Sequence, residues 1–330
     1  MAGCDAASQG PMNPDVVSAI GRLRSAGVLT DGPATLFDRV ARRQLVSLRF
    51  ELRVLLYVGV LLLTSGVGGL VAAHHHEIGR LTIAGGIGLA AFACLAWVTQ
   101  TALPFSWHAV ESRHVAFDYV LLLGLLLLAA DLAYVEVQFG ALGPDWPYHL
   151  LVVGALYLAA AYRWDSRTVL GLALTTLAAW RGISLGLVHG GSGLDEARLR
   201  ADALVLGALY LAAAALSVRL GRKGHFEDVF ANAGLLLLLG ALVSGALEDR
   251  AMWTAWLVAL VAVAGLVAWL ALRLGRSLYF AQAVVAAYVG LLRLLFERPG
   301  SRSLAFLLAA LLGAAGLVVV TAAHRRMRER

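Results

Sequence analysis

Lysine is all but missing from this chain. One residue, Lys223, stands against 26 arginines, which reads as a bias of composition more than as chemistry. Charge as a whole is scarce. Asp, Glu, Lys and Arg make up 15% of the 330 residues, where a soluble protein carries about 25%. With 60% hydrophobic residues, the solvent for most side chains must be lipid. Cysteine is limited to Cys4 and Cys94. The first falls in a polar terminal segment and the second inside an apolar stretch, so neither a disulfide nor a thiolate metal site is supported. No complete catalytic, metal or nucleotide motif occurs, and no cofactor is implied. The net charge of +6 is not a nucleic-acid footprint, because the basic residues sit at helix ends and not in one patch with stacking aromatics.

What the chain does have is ten apolar stretches: 52–73, 81–101, 115–135, 148–162, 167–188, 203–220, 229–247, 254–274, 278–296 and 304–323. A spanning helix needs ~20 mostly apolar residues, and only the fourth stretch is short. Runs of this length in lipid must satisfy their own backbone, so they are helices. The expected fold is all-α: a polytopic membrane bundle of about ten transmembrane helices with a small cytosolic N-terminal helical hairpin. If the N-terminus is cytosolic, 19 of the 27 basic residues fall on the cytosolic side and 6 on the other, while Arg181 and Arg293 lie inside stretches. The positive-inside rule then puts both termini in the cytosol of a bacterium, with the chain multi-pass in its inner membrane. Trp107, Trp146, Trp164 and Trp253 sit at the expected interfaces, the aromatic-belt position.

Along the chain, residues 1–12 read as disordered, 13–51 as the hairpin, 52–323 as the bundle and 324–330 as a basic cytosolic tail. The first ~50 residues are too polar for the first span to be the core of a cleaved signal. Asn13-Pro14-Asp15 supplies a cap, a proline at the first helical position and an acid in the first turn. Val16, Val17, Ile20 and Leu23 follow at helical spacing, and Gly27 is a stop. The second helix carries Leu36, Phe37, Val40 and Leu45 on one face and Arg39, Arg42, Arg43 and Arg49 on another. It is either a soluble cap or a basic surface for anionic lipid or a partner. Further on, Val153 to Ala161 recurs nearly unchanged as Leu206 to Ala214, 53 positions later, and Arg219-Leu220-Gly221-Arg222 recurs as Arg273-Leu274-Gly275-Arg276. The unit is a two-span hairpin, repeated in parallel.

Ala26-Gly27-Val28-Leu29-Thr30, the glycine-rich stretch Gly59 to Ala73 and Ile78-Gly79-Arg80-Leu81 carry a resemblance. From Leu23 to Leu81 the chain resembles a bacterial family of predicted membrane proteins catalogued as domain of unknown function two-one-five-seven. That resemblance implies a multi-span inner-membrane protein and brings no established activity. Where the family usually shows an Asn-Trp pair after the first span, this chain has His74-His75-His76.

Charges inside the spans are the candidate site residues, since a charge in lipid is costly and faces the protein interior. Asp131, Arg181 and Arg293 lie ~24, ~20 and ~22 Å along their helices at 1.5 Å per residue, all in the outer half. Two readings follow. In one, Arg181 and Arg293 form an outward polar cup for an anionic or zwitterionic ligand. In the other, Asp131 pairs with Arg181 to fix helix packing, and Arg293 snorkels. His74, His75, His76 and Glu77, with His149 and His189, suggest zinc or copper by residue type. Three adjacent histidines point different ways, however, and a solvated loop is the plainer reading. Asp118 and the Glu227-Asp228 pair occupy first helical turns, where acids favour the dipole. Gly66, Gly69, Gly85, Gly86 and Gly88 read as helix-packing residues. Three function classes remain. The first is an accessory or scaffold subunit with a membrane-protein or second-copy partner. The second is a transporter or lipid- or small-molecule-binding protein with a cup around Arg181. The third is a membrane enzyme, the least supported.

Overall fold

The computed structural model describes Ser25 and residues 49–74, 79–108, 116–140, 142–188, 196–249, 251–297 and 302–328. The hairpin expected over 13–51 lies outside these, apart from Ser25 and the last three positions. Ten α-helices run through the described residues: α1 (Arg49–His74), α2 (Arg80–Thr101), α3 (Phe117–Phe139), α4 (Tyr148–Trp164), α5 (Arg167–Val188), α6 (Glu196–Arg219), α7 (Glu227–Glu248), α8 (Trp253–Leu274), α9 (Ser277–Glu297) and α10 (Arg302–Arg328). No strand occurs among the described residues. Seven of the helices, α2, α3 and α6 to α10, are long and apolar enough to cross a membrane. α4 has 17 residues, short as its sequence implies.

The chain divides into two units, Met1–Gly69 and Leu70–Arg330. The described part of the first is most of α1, with an apolar segment Val54–Gly66. In the second, neighbours in sequence pair as hairpins: α2 with α3, α4 with α5, α6 with α7, and α8 with α9, while α10 lies on α9. α7 also packs on α5, α8 and α9. It can do so because it is apolar all round: Phe230, Ala231, Leu235, Leu239, Ala241, Leu242 and Ala246 are all buried. α10 is the opposite case. Its Phe306, Leu307, Leu311, Leu317 and Val318 are exposed, a face suited to lipid.

The tightest approach is between α6 and α7. A Cβ added to Gly207 would lie 2.9 Å from the Gly234 carbonyl oxygen, and one on Gly234 would lie 2.8 Å from that of Gly207. Neither backbone can yield, so glycine is required at both. The glycines of the first two spans differ from expectation. A Cβ on Gly66, Gly69, Gly85 or Gly86 would meet nothing within 4 Å, and only Gly88 is close to a neighbour, the Asp131 carboxylate at 3.0 Å.

The short turns between paired helices end in left-handed residues. Gly275 closes α8, and the Arg276 N–H donates to the Ala271 carbonyl at 2.9 Å. Asp165 closes α4 in the same way, with the Ser166 N–H on the Ala161 carbonyl at 3.2 Å. Each motif satisfies last-turn carbonyls. Tyr157 of α4 donates its hydroxyl to the Leu125 carbonyl on α3 at 3.3 Å, and Tyr210 of α6 donates to Leu174 on α5 at 2.9 Å.

Candidate functional sites at the two ends of the second unit

The turns α2–α3, α4–α5 and α6–α7 meet at one end, which also carries Arg163, Arg167, Arg219 and Arg222. At its centre is Lys223, with 1% of its side chain exposed. Its ammonium donates to Asp165 Oδ1 at 2.7 Å, and His225 Nε2 lies 2.6 Å from the same oxygen. The Lys223 N–H donates to the Trp107 carbonyl at 2.8 Å, and the rings of Phe105 and Phe226 lie 5.3 and 5.8 Å from Nζ. Among the described residues the only non-glycine positions with positive φ are Asp165, at 59°, and Lys223, at 51°. The two strained residues are each other's partners. Such strain persists only where the surroundings over-determine it. Here they do, because a buried charge must be paired, and the last turns of α2 and α4 add carbonyl dipoles of the sign an ammonium needs. The niche beside them, lined by Thr101, Ser106, Phe117, Trp164 and Asp165, holds about 30 Å³, room for about two waters. That is too little for a substrate. The lysine cluster is a clamp that ties three turns together, and composition gave no sign of it.

A second polar set binds α7 to the start of α9. Arg276 pairs with Asp228 and, at 3.2 Å, with Glu227, while the Tyr279 hydroxyl donates to Asp228 at 3.1 Å. The Asp228 carboxylate beside Arg276 holds that guanidinium above its ordinary value. Glu227 and Asp228 therefore do more than favour a helix dipole. Deeper in, Gln282 donates to Asn232 at 3.3 Å.

The expected Asp131–Arg181 pair does not form. Arg181 donates to Asp202 of α6 at 2.6 Å. The reason is where α6 begins: at Glu196, seven residues before the apolar stretch, which brings Asp202 into the helix facing α5. Asp131 lies against Gly88 of α2 instead, with Oδ1 buried and without a hydrogen-bond partner, as is the Tyr134 hydroxyl one turn on.

Arg293 does not snorkel freely. It donates to the carbonyls of Ala246, at 3.0 Å, and Leu247, capping the end of α7, and its carbon centre lies 5.2 Å from the Trp253 ring. It also lines a cavity of about 900 Å³ with Glu196, Glu248, Glu297, Leu247, Leu292 and Phe296. That volume is in the range of small-molecule sites. Arg200 stands behind it, 3.6 Å from Glu196 and 3.5 Å from Glu248. Arg181 is not among the lining residues, so the cup expected around Arg181 and Arg293 is instead an acidic-rimmed cavity around Arg293. At the same end Asp249 accepts the N–H groups of Ala251 and Met252 at 3.0 Å and the Trp256 indole at 3.1 Å. Those bonds, the Met252 amide first, hold its carboxyl below the usual range.

The side chains of the histidine-rich loop, His74 to Glu77, and His189 lie outside the described residues. His149 is engaged locally, its Nδ1 2.6 Å from the Trp146 carbonyl oxygen. Among the described residues no group of three His, Cys, Asp or Glu side chains could hold a metal ion.

Ten helices at the apolar stretches, seven of them membrane-length, define a polytopic helical membrane protein. Residues 22–170 match the family described as "Predicted membrane protein (DUF2157)", so the resemblance read from Leu23 to Leu81 holds and extends through α4 into the first turn of α5. No curated protein and no solved structure matches the chain. Of the site residues, Asp131 and Asp165 fall within the matched region. Lys223, Arg181 and the whole Arg293 cavity lie beyond it.

Proposed function

We propose that this is a ligand-binding or transport protein of the bacterial cytoplasmic membrane, multi-pass, with both termini and the arginine-rich turns in the cytosol. The observation that carries the reading is the cavity of about 900 Å³ at the opposite end, with charges of both signs on its rim and Leu247, Leu292 and Phe296 below. The space is an open depression in which charged and apolar side chains stand side by side, a lining suited to a small amphiphilic or polar molecule. The parallel placement of Tyr157 and Tyr210, each bonded to the preceding helix, supports an internal repeat of two-span hairpins. Neither feature calls for turnover. Purification in native lipid, followed by a map of the Arg293 cavity, is the test: non-protein density there supports binding, and an empty cavity counts against it.

A second reading, an accessory or scaffold subunit with a membrane-protein partner or a second copy, draws on the Lys223 clamp. Its charges are spent within the bundle, which suits a rigid support. Copurification of a stoichiometric partner singles it out.

A further inference from the structure

We infer that the Arg293 cavity takes a zwitterion: an ammonium close to an anionic oxygen, carried either on an acyl-chain lipid or as a free molecule. The inference rests on the ligand-binding reading above and names its ligand class. Three carboxylates, Glu196, Glu248 and Glu297, line the cavity. Two guanidiniums, Arg293 in the wall and Arg200 behind it, oppose them, so among the described residues the carboxylates are in excess by one. The C-terminal ends of α7 and α9 and the N-terminal end of α6 meet here, so the helix dipoles at the rim are of mixed sign and the side-chain charges set the balance. A purely anionic ligand is therefore repelled, which reverses the sign expected from Arg181 and Arg293 alone.

The rim is not simply acidic. The Nε atoms of Arg200 and Arg293 are buried without a hydrogen-bond partner. Glu297 comes within 3.3 Å of Arg293 Nε but makes no hydrogen bond to it. Arg200 has only 10% of its side chain exposed and does not line the cavity, so the guanidinium that a ligand meets is that of Arg293. A ligand that brings both an ammonium for the glutamates and an oxygen for a guanidinium meets both demands. Leu247, Leu292 and Phe296 in the same lining, the first and last of them exposed, offer apolar contact to a hydrocarbon tail. Glu297 has over half of its side chain exposed and does not pair with the nearly buried Arg200, so it can be altered without disturbing the packing.

The experiment uses the full chain, delipidated in detergent, with binding read by native mass spectrometry. The probes are short-chain phosphatidylethanolamine, phosphatidylglycerol as the amine-free control, and phosphoethanolamine as the free headgroup. The expected result is about tenfold preference for the amine lipid, lost in Glu297→Gln while that variant keeps its melting temperature. Phosphoethanolamine that displaces the lipid assigns recognition to the headgroup and admits a free zwitterion; failure to displace it assigns the site to the lipid. Equal binding of the two lipids, or a preference untouched by Glu297→Gln, overturns the inference but leaves a ligand-binding cavity. Retention of none of the three probes overturns both.

Discussion

A lysine with 1% of its side chain exposed survives in a lipid-facing protein only if its charge is met. Asp165 meets it, and Asp165 is itself 6% exposed. Breaking such a buried pair typically costs ~3–5 kcal/mol, and the loss is larger on the Asp165 side, which strips the ammonium of its carboxylate, than on the Lys223 side, where Asp165 keeps His225 Nε2 at 2.6 Å. Lys223→Met and Asp165→Asn should therefore each lower the melting temperature in detergent markedly, and the double variant should lose far less than the two together. Simple addition of the losses would show that the clamp is not a pair. The Arg181–Asp202 contact is more open, with 42% and 25% exposed, and is expected to contribute about 1 kcal/mol. In a double-mutant cycle Arg181→Gln should couple to Asp202→Asn and be additive with Asp131→Asn. At Asp249 the folded carboxyl titrates below its unfolded value. Its stabilising effect is thus complete above the ordinary aspartate value of ~3.9 and is lost as pH falls through the lower, folded one. Asp249→Asn should flatten the melting temperature of the wild type in that acid range and change its shape little between pH 5 and 7.

Elements were the easiest level to read from sequence, because the length of an apolar run is a one-dimensional property. α5 coincides with the stretch 167–188, and the other helices begin and end within a few residues of theirs, α6 excepted. α6 starts early because Glu196 to Asp202 is polar yet helical. A reading tuned to hydropathy discards that segment, and with it Arg181's partner, the cavity residue Glu196 and Arg200 behind it. Glu196 in a first turn was the available signal. Lys223 was missed for a related reason: its partners lie 58 and 116 residues away, at Asp165 and Trp107, and only the turn signature around Gly221 and Gly224 marked the place. Glycines failed in the other direction, since a smooth helix face need not be a packed one. Gly207→Ala and Gly234→Ala should each destabilise the α6–α7 hairpin, because the new methyl meets backbone at 2.9 and 2.8 Å. Gly85→Ala and Gly86→Ala should be neutral or slightly stabilising, as alanine lowers the entropy of the unfolded chain and meets no atom. Thermal denaturation of the four variants side by side checks the contrast; equal losses at all four would mean that α2 is packed as tightly as α6.

At the scale of the whole molecule the two ends differ in kind. In the second unit, one end joins three turns through a buried lysine and carries Arg163, Arg167, Arg219 and Arg222. The other leaves a cavity whose rim is acidic. In the orientation proposed above, cationic turns stay on the cytosolic side during insertion, and the cavity would open to the exterior, where a zwitterion or lipid headgroup could enter without crossing the bundle. Arg222 and Glu297 are both exposed and lie at opposite ends, so they report this directly. With Cys4 and Cys94 replaced by serine, a cysteine at position 297 should react with a membrane-impermeant maleimide in intact cells, and one at position 222 only after permeabilisation. Addition of phosphatidylethanolamine to the purified protein should slow labelling at 297 and leave 222 unchanged, since only the first lines the cavity. Labelling at 222 in intact cells would invert the topology, place the cavity in the cytosol, and turn the search for its ligand toward cytosolic zwitterions.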